Sequence, residues 1–362
     1  MTDYRYIFGT LRTEQVIEEI ALYGVIMDMT INVGGALQGT FQLDQTGKDN
    51  DTLLSACIPG RTWVTCERNG IPIWHGYIWS RVYSAQSKSV QLYALSFDNY
   101  PRKRLIRSDL TYTAQEQRNI FRDLWIQMQT PTGGNANVNV PSSFTSVVPI
   151  DLAILATDFK YYDNVMSSIA SGVNGFDWYI GITKDGSLYR KDLLIGYPTL
   201  GTGASIGMTV FEYPGNIVQY YLTEPMADAG TNIYVIGAGE GSGMIVGTYT
   251  NTTAIAEGSL IWDADVNRKD VSSQTLADGL AAQEGLSRNP PMSIIKMNVK
   301  ANLTPEFGSY GLGDLCKIVI KDARNPGNGF SASKRLLKWS LTPQSSSATE
   351  EVELVFEGDP DL

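Results

Sequence analysis

Apolar and polar residues alternate in short runs over the first hundred positions, the period of strands with one buried face. The runs predict strands at Tyr4–Gly9, Gln15–Leu22, Gly24–Val33, Leu37–Leu43, Thr62–Arg68, Ile71–Tyr83 and Ser89–Phe97. Asn69-Gly70 is the dipeptide of a tight hairpin turn, because both residues tolerate positive φ. Thr62–Arg68 and Ile71–Tyr83 are therefore expected to pair antiparallel. Gln86-Ser87-Lys88 reads as the next turn, returning the chain into Ser89–Phe97. Short strands joined by turns suggest a small barrel or sandwich.

The pattern then changes period. Thr113 and Glu116 have capping-box spacing ahead of IFRDLWIQM, where Ile120, Leu124 and Met128 share one helical face. Residues 130–145 are rich in Pro, Gly, Asn and Ser and predict a loop. A short helix is expected over Asp163–Ser171, then a hairpin turning at Asp185-Gly186. Beyond residue 200 strands return at Gly207–Tyr213, Ile217–Leu222, Asn232–Ile236 and Met244–Tyr249. A helix is expected over Ser273–Leu286, followed by strands at Met292–Val299, Leu315–Ile320, Arg335–Thr342 and Glu350–Phe356.

One internal echo bears on architecture. IWSRVYSAQSKSVQLYALSF begins at Ile78, and KWSLTPQSSSATEEVELVFEG begins at Lys338. Both carry Trp-Ser, a polar turn, and Val-x-Leu leading to Phe. Trp79 precedes Val90 by eleven residues and Trp339 precedes Val352 by thirteen, a difference assigned to the turn. A cysteine-bearing strand precedes each, RTWVTCER and GDLCKIVIKD. Chance similarity among hairpins is one reading, and two related barrels the other. The second gives an α+β, mainly β chain with two related small β-barrel domains and an α/β insertion between them. The expected divisions are a barrel over residues 1–105, the insertion over 106–200, and a second barrel over 201–362 with a helical insertion around 270–290.

Composition removes several function classes. The formal net charge of −10 argues against gripping nucleic acid, since phosphate contact needs a basic excess. The acid concentrates in residues 201–290, in Glu212, Glu224, Asp228, Glu240, Glu257, Asp263, Asp265, Asp270, Asp278 and Glu284. Only Arg268, Lys269 and Arg288 offset them there. Three cysteines, Cys57, Cys66 and Cys316, have no CxxC spacing and imply neither a disulfide framework nor a zinc site. MTDYRYIFGT does not read as a signal peptide, and no apolar run is long enough to span a bilayer. A soluble protein made in a reducing cytoplasm is expected.

His75, the one histidine, lies in IPIWHGYIWSRVY. Most histidine-dependent nucleophilic and zinc sites are excluded by that count. Apolar side chains occupy both faces of this strand, and Gly76 suggests a bulge or a close backbone approach, so a structural role is expected. GAGEGSGMIVG, residues 237–247, has the wrong glycine spacing for a dinucleotide loop and runs into a β-branched segment, so it reads as a hairpin loop. Asp263, Asp265 and Glu212 are the acids to weigh for glycan hydrolysis, which needs two carboxylates. PRKRLIRSD supplies Arg102, Lys103, Arg104 and Arg107, with no stacking aromatics beside them. No catalytic, cofactor-binding or metal-ligating residue is expected.

Four stretches together resemble a known family, the tail hub (minor tail) proteins of siphophages infecting actinobacteria. They are YIFGTLRTEQVIEEIALYGVIMDMTINVGGALQGTFQL, NGIPIWHGYIWSRVY, YPGNIVQYYLTEPMADAGTNIYVIGAGEG and SYGLGDLCKIVIKD with the Trp-Ser strand after it. The second is similar to the family's Trp-x-Gly hairpin, where a glycine often stands in place of His75. The resemblance covers nearly the whole chain, with residues 106–200 matching least. It implies kinship with the baseplate hubs of contractile-tailed phages: two β-barrels per chain, and three chains in a ring of six barrels. It also implies a position at the distal end of the virion tail, after synthesis in the host cytoplasm. The implied partners are two further copies of the chain, a distal tail protein, a tape measure protein and other tail-tip or central fibre proteins. DNA would pass through the channel without specific binding, and some acids of 201–290 would then face it as a repulsive wall. The rival readings are a tail-associated glycan hydrolase using Asp263, Asp265 or Glu212, and a carbohydrate-binding module using Trp178, Tyr179, Tyr220 and Tyr221.

Overall fold

The computed structural model describes residues 2–357 apart from 45–46, 173, 202–208, 224–225, 227–228, 270, 289–293, 328 and 344–349. Glu224, Asp228, Asp270 and Met292, and the starts of two expected strands, lie outside the described residues. Among those described, no helix is long and apolar enough to cross a membrane.

The N-terminal part is built from β1 (Tyr4–Thr10), β2 (Val16–Glu19), β3 (Tyr23–Thr30), β4 (Ala36–Gln42), α1 (Asn50–Ala56), β5 (Thr62–Arg68), β6 (Ile71–Ser84) and β7 (Ser89–Ser96). The strands order β3-β4-β7-β6-β5-β1-β2. Asn69 and Gly70 both take positive φ, 52° and 80°, so the β5–β6 turn forms as their sequence requires. The alternation gave no sign of α1, whose first turn is capped by Asp49 accepting from the Thr52 amide.

The middle part holds β8 (Leu110–Glu116), α2 (Gln117–Gln129), β9 (Val138–Asn139), β10 (Pro149–Ile154), α3 (Tyr162–Ala170), β11 (Asp177–Asp185) and β12 (Leu188–Gly196). The expected capping box does not form. Thr113 and Glu116 belong to β8, which pairs with β10. Glu116 accepts instead from the Val147 and Val148 amides, at 2.5 and 2.8 Å, and from Arg118 at 2.6 Å. Ile120, Phe121, Leu124, Trp125 and Met128 bury the inner face of α2 in a core shared with Phe176, Trp178, Trp63 and Phe97.

The C-terminal part holds β13 (Val210–Tyr213), β14 (Ile217–Thr223), β15 (Asn232–Ile236), β16 (Val246–Thr250), α4 (Thr252–Ala256), β17 (Asp263–Asn267), α5 (Gln274–Ser287), β18 (Ile294–Lys300), β19 (Leu315–Ile320), β20 (Phe330–Leu341) and β21 (Glu351–Phe356). β16-β15-β17 form a separate three-stranded sheet against α5. The glycine-rich stretch 237–243 is the loop of the antiparallel β15–β16 hairpin and opens no α-helix. The other C-terminal strands order β14-β18-β21-β20, with β19 and β13 beyond β20.

Two copies of one pattern lie side by side. The order β3-β4-β7-β6-β5 in the first half matches β14-β18-β21-β20-β19 in the second. Matched rows cross the two halves: Ile26, Gln38, Tyr93 and Ser80 in one, Tyr221, Lys296, Val355 and Lys338 in the other. Each long middle strand carries a bulge at the same place. Trp79 is the extra residue between Ile78↔Ala94 and Ser80↔Tyr93, and Leu337 between Leu336↔Phe356 and Lys338↔Val355. Bulges kink a strand at a defined position and let it serve two neighbours in turn.

The echo between the halves is real, but its residue pairing shifts by two. Trp79 matches Leu337, and Trp339 matches Arg81. In the preceding strands Trp63 opposes Tyr77 and Leu315 opposes Arg335, which sets Cys316 level with Val64 and not with Cys66. Trp79 is 40% exposed while Trp339 is buried against Phe307, as unequal positions would have it. The repeat also has a departure: β1 runs antiparallel to β5, whereas β13 runs parallel to β19.

Candidate functional site

The two repeats are welded by backbone pairing. β3 lies along β20, with Met27 opposite Leu341 and Thr30 opposite Lys338, making one continuous sheet across both halves. A single core runs beneath it, from Phe8, Phe41, Trp74 and Ile78 to Phe211, Leu336, Leu354 and Phe356. Buried polar contacts fix the same junction. Arg68 at the end of β5 meets Glu350 just before β21 at 2.8 Å, both nearly inaccessible to solvent. Asp177, at the start of β11, binds Arg335 of β20 and accepts from Asn32 beyond β3 at 3.2 Å. The middle part is thus tied to both halves at one residue.

Further ties hold the β11–β12 hairpin to the first half. The carboxylate of Glu67, fully buried on β5, binds Lys184 at 2.5 Å, the Tyr189 hydroxyl at 2.8 Å and Arg5 at 3.3 Å. Lys191, 1% exposed, pairs with Glu14 at 2.6 Å. None of these charged residues stood out in the sequence. A charge at a strand end looks the same in a one-dimensional pattern whether its environment is solvent or a partner.

Asp98 adds a pH-dependent contact. It is buried beside β11 and accepts from the Ile180 amide at 2.8 Å. Burial pushes its carboxyl up to about 6, against the opposing pull of that amide, Ser96 and Arg102. A carboxyl that holds its proton more tightly when folded contributes most below its unfolded value of 3.8, and the contribution is lost as pH rises through 6. The full loss is about 3 kcal/mol. Asp98→Asn keeps an acceptor for Ile180 and removes the titration. Urea unfolding from pH 4 to pH 7 should therefore show a shallower decline in the variant than in the parent.

His75 sits in the first half's aromatic layer. Its ring stacks on Phe97 at 5.1 Å and lies 5.2 Å from Trp63, while Nδ1 shares a hydrogen bond with Thr65 Oγ1 at 2.5 Å. Burial, and then the nearby Lys191 charge, hold its pKa well below the ordinary value, so the ring is neutral at pH 7. Gly76 beside it is not the bulge; a Cβ there would lie 2.2 Å from the Leu95 carbonyl oxygen, so this is a close backbone approach. His75→Asn should cost about 1–3 kcal/mol from lost ring packing. The native mass of the protein should not change, as light scattering would show.

The remaining candidates disperse. Asp263 and Asp265 are exposed on β17, whereas Glu212 is exposed on β13 of the large sheet. Six of the described acids of 201–290 are exposed: these three, Glu240, Glu257 and Asp278. Glu284 is half-buried and pairs with Arg288 at 3.0 Å. Trp178 is buried in the middle core, Tyr179 is half-buried against the core of the large sheet and Tyr220 is bound to Asp322, which leaves Tyr221 as the exposed member of the proposed sugar-binding set. Arg104 caps α2 by donating to the Met128 carbonyl at 2.9 Å, Arg102 lies 3.8 Å from Asp163, and Lys103 sits over the Trp79 ring. A cleft of about 320 Å³ opens between the start of β6, the β11–β12 hairpin and residues 307–312, with His75, Lys191, Tyr310 and Trp339 in its wall.

No family model and no curated protein matches the chain. Solved structures do. The 43 kDa tail protein of prophage MuSo2 from Shewanella oneidensis aligns with a TM-score of 0.65 at 12% identity, over 99% of each chain. A tail protein from Neisseria meningitidis aligns with a TM-score of 0.62 at 12% identity, over 98% of this chain and 96% of that one. The prophage tail protein gp18 from Listeria monocytogenes gives 0.53 at 11% identity, over 97% and 94%. From end to end, the chain has the fold of phage tail proteins.

Proposed function

We propose that this chain is a structural component of a siphophage tail tip, a hub whose three copies form a ring around the DNA channel. The observation that carries the reading is the doubled sheet, in which one chain presents two equivalent units. Three such chains offer six near-equivalent positions, so one face fits a sixfold tube and the other a threefold tip. The full-length likeness to tail proteins supports the same reading. Its partners are two further copies, the distal tail protein and tape measure protein above, and central fibre proteins below. The role is assembly and not catalysis. The chain's net charge of −10 suits a wall past which DNA slides without being held. Light scattering of the purified chain, together with averaged cryo-images of whole particles, tests this. A trimer seen as a threefold ring at the tail end supports it, and a monomer absent from particles contradicts it.

A further inference from the structure

The cleft where the three parts meet follows from the strand pairing. β6 pairs with β5 from Ile71 onward, but β7 joins it only at Gly76. Among the described residues, the first residues of β6 therefore have no strand neighbour on that side. β11 and residues 307–312 come across them without closing over. Gly181, Gly308 and Gly311 line the cleft there and bring no side chain into it. A Cβ at Gly308 would meet nothing within 4 Å, and one at Gly311 nothing nearer than Asp314 Oδ2 at 3.8 Å and Tyr179 Oη at 3.9 Å. The resulting volume of about 320 Å³ is that of a small-molecule site.

The walls are largely apolar, with Trp74, Tyr179, Phe307 and Trp339 among them. The charged residues of the lining are already engaged. Lys191 pairs with Glu14 at 2.6 Å, and Asp192 accepts from Asn139 at 2.9 Å. A charged ligand would be desolvated here without a partner, whereas an uncharged one would not suffer that penalty. Two buried polar atoms of wall residues, His75 Nε2 and Tyr310 Oη, have no hydrogen-bond partner among the described residues. Both residues are 7% exposed. Buried polar groups are ordinarily satisfied, so such exceptions point to a partner from outside the chain. His75 Nε2 is a donor. The fully buried Thr65 hydroxyl has no other partner among the described residues, so its proton goes to His75 Nδ1 at 2.5 Å. The neutral ring then keeps its own proton on Nε2.

We infer that this cleft binds a small uncharged aromatic molecule bearing an acceptor oxygen, such as that of a ketone or an amide. The ligand's ring lies among the aromatic side chains, and its oxygen accepts from His75 Nε2. It touches both halves of the sheet and the β11–β12 hairpin at once, so binding stabilises their junction. The site stands apart from the ring reading, because every wall residue belongs to one chain.

The neutral aromatic ketone dye Prodan tests this, since its emission moves to shorter wavelength in apolar surroundings. The purified chain should bind it saturably at one site, with a rise in the thermal unfolding midpoint. Gly311→Leu fills the cleft at a position without positive φ. It should abolish both effects and leave the circular dichroism spectrum unchanged. His75→Phe keeps an aromatic ring against Phe97 and Trp63 and removes the donor. It should weaken the ketone roughly three- to tenfold, as loss of one hydrogen bond does. Binding of the hydrocarbon ethylnaphthalene, measured by displacement of the dye, should not change. An absence of saturable binding to the parent chain, or binding that survives Gly311→Leu, would overturn the site. An effect of His75→Phe that is nil, or equal for ketone and hydrocarbon, would overturn the hydrogen bond.

Discussion

Replacing Arg68 with methionine should lower the free energy of unfolding by about 3–5 kcal/mol, the cost of leaving one buried charge without its partner. Arg68 and Glu350 are 5% and 3% exposed. The guanidinium also donates to the Phe307 carbonyl at 3.1 Å, to the Ala301 carbonyl at 3.3 Å and to Asn302. Glu350 also accepts from the Tyr4 hydroxyl. Each contact joins the first half of the sheet to the second, so the substitution strikes the seam between repeats and not one repeat. The double variant Arg68→Met with Glu350→Leu should recover much of the loss, since neither charge is then stranded. Urea unfolding of the two singles and the double measures the coupling directly. Singles costing under about 1 kcal/mol would match an exposed pair and would contradict the burial.

Gly76→Ala should cost about 3 kcal/mol, the upper end of what added core volume exacts. β6 is sandwiched at this point, with Val64 of β5 on one side and Ser96 of β7 on the other. An added methyl would meet the Leu95 carbonyl oxygen at 2.2 Å and the Trp74 ring at 2.4 Å. The first is backbone of a paired strand, which yields only by breaking its pairing. Gly70, in the preceding turn, has open space around its Cβ position. Gly70→Ala therefore carries only the strain of its positive φ, and comparing the two variants by thermal unfolding separates crowding from backbone conformation. Equal losses would contradict the close approach at Gly76.

Most of the large sheet was legible in the sequence, because alternation reports a strand that buries one face. Asn69-Gly70 located its hairpin for the same physical reason that the turn forms. The middle part was harder. Thr113 and Glu116 fit a capping box by spacing, yet their neighbours Leu110, Tyr112 and Ala114 also alternate, and tertiary pairing with β10 decides for the strand. The repeat showed through Trp-Ser and cysteine, two side-chain coincidences displaced by two positions. Its true marks are bulges and strand partners, which leave no letter in a sequence. The stabilising charges, Arg68, Glu350, Glu67 and Asp177, were invisible because burial of a charge depends on what folds over it. The candidate chemistry separated in the same way: His75, read as structural, lies buried among aromatic rings, whereas Trp178 was offered as exposed and is buried.

Averaged cryo-images of whole particles test the central claim most directly. The account predicts three copies of the chain in a threefold ring at the tail end, with six repeated units around an open channel. A tail tip that lacks this chain, or holds it as a single copy off the channel axis, would contradict it.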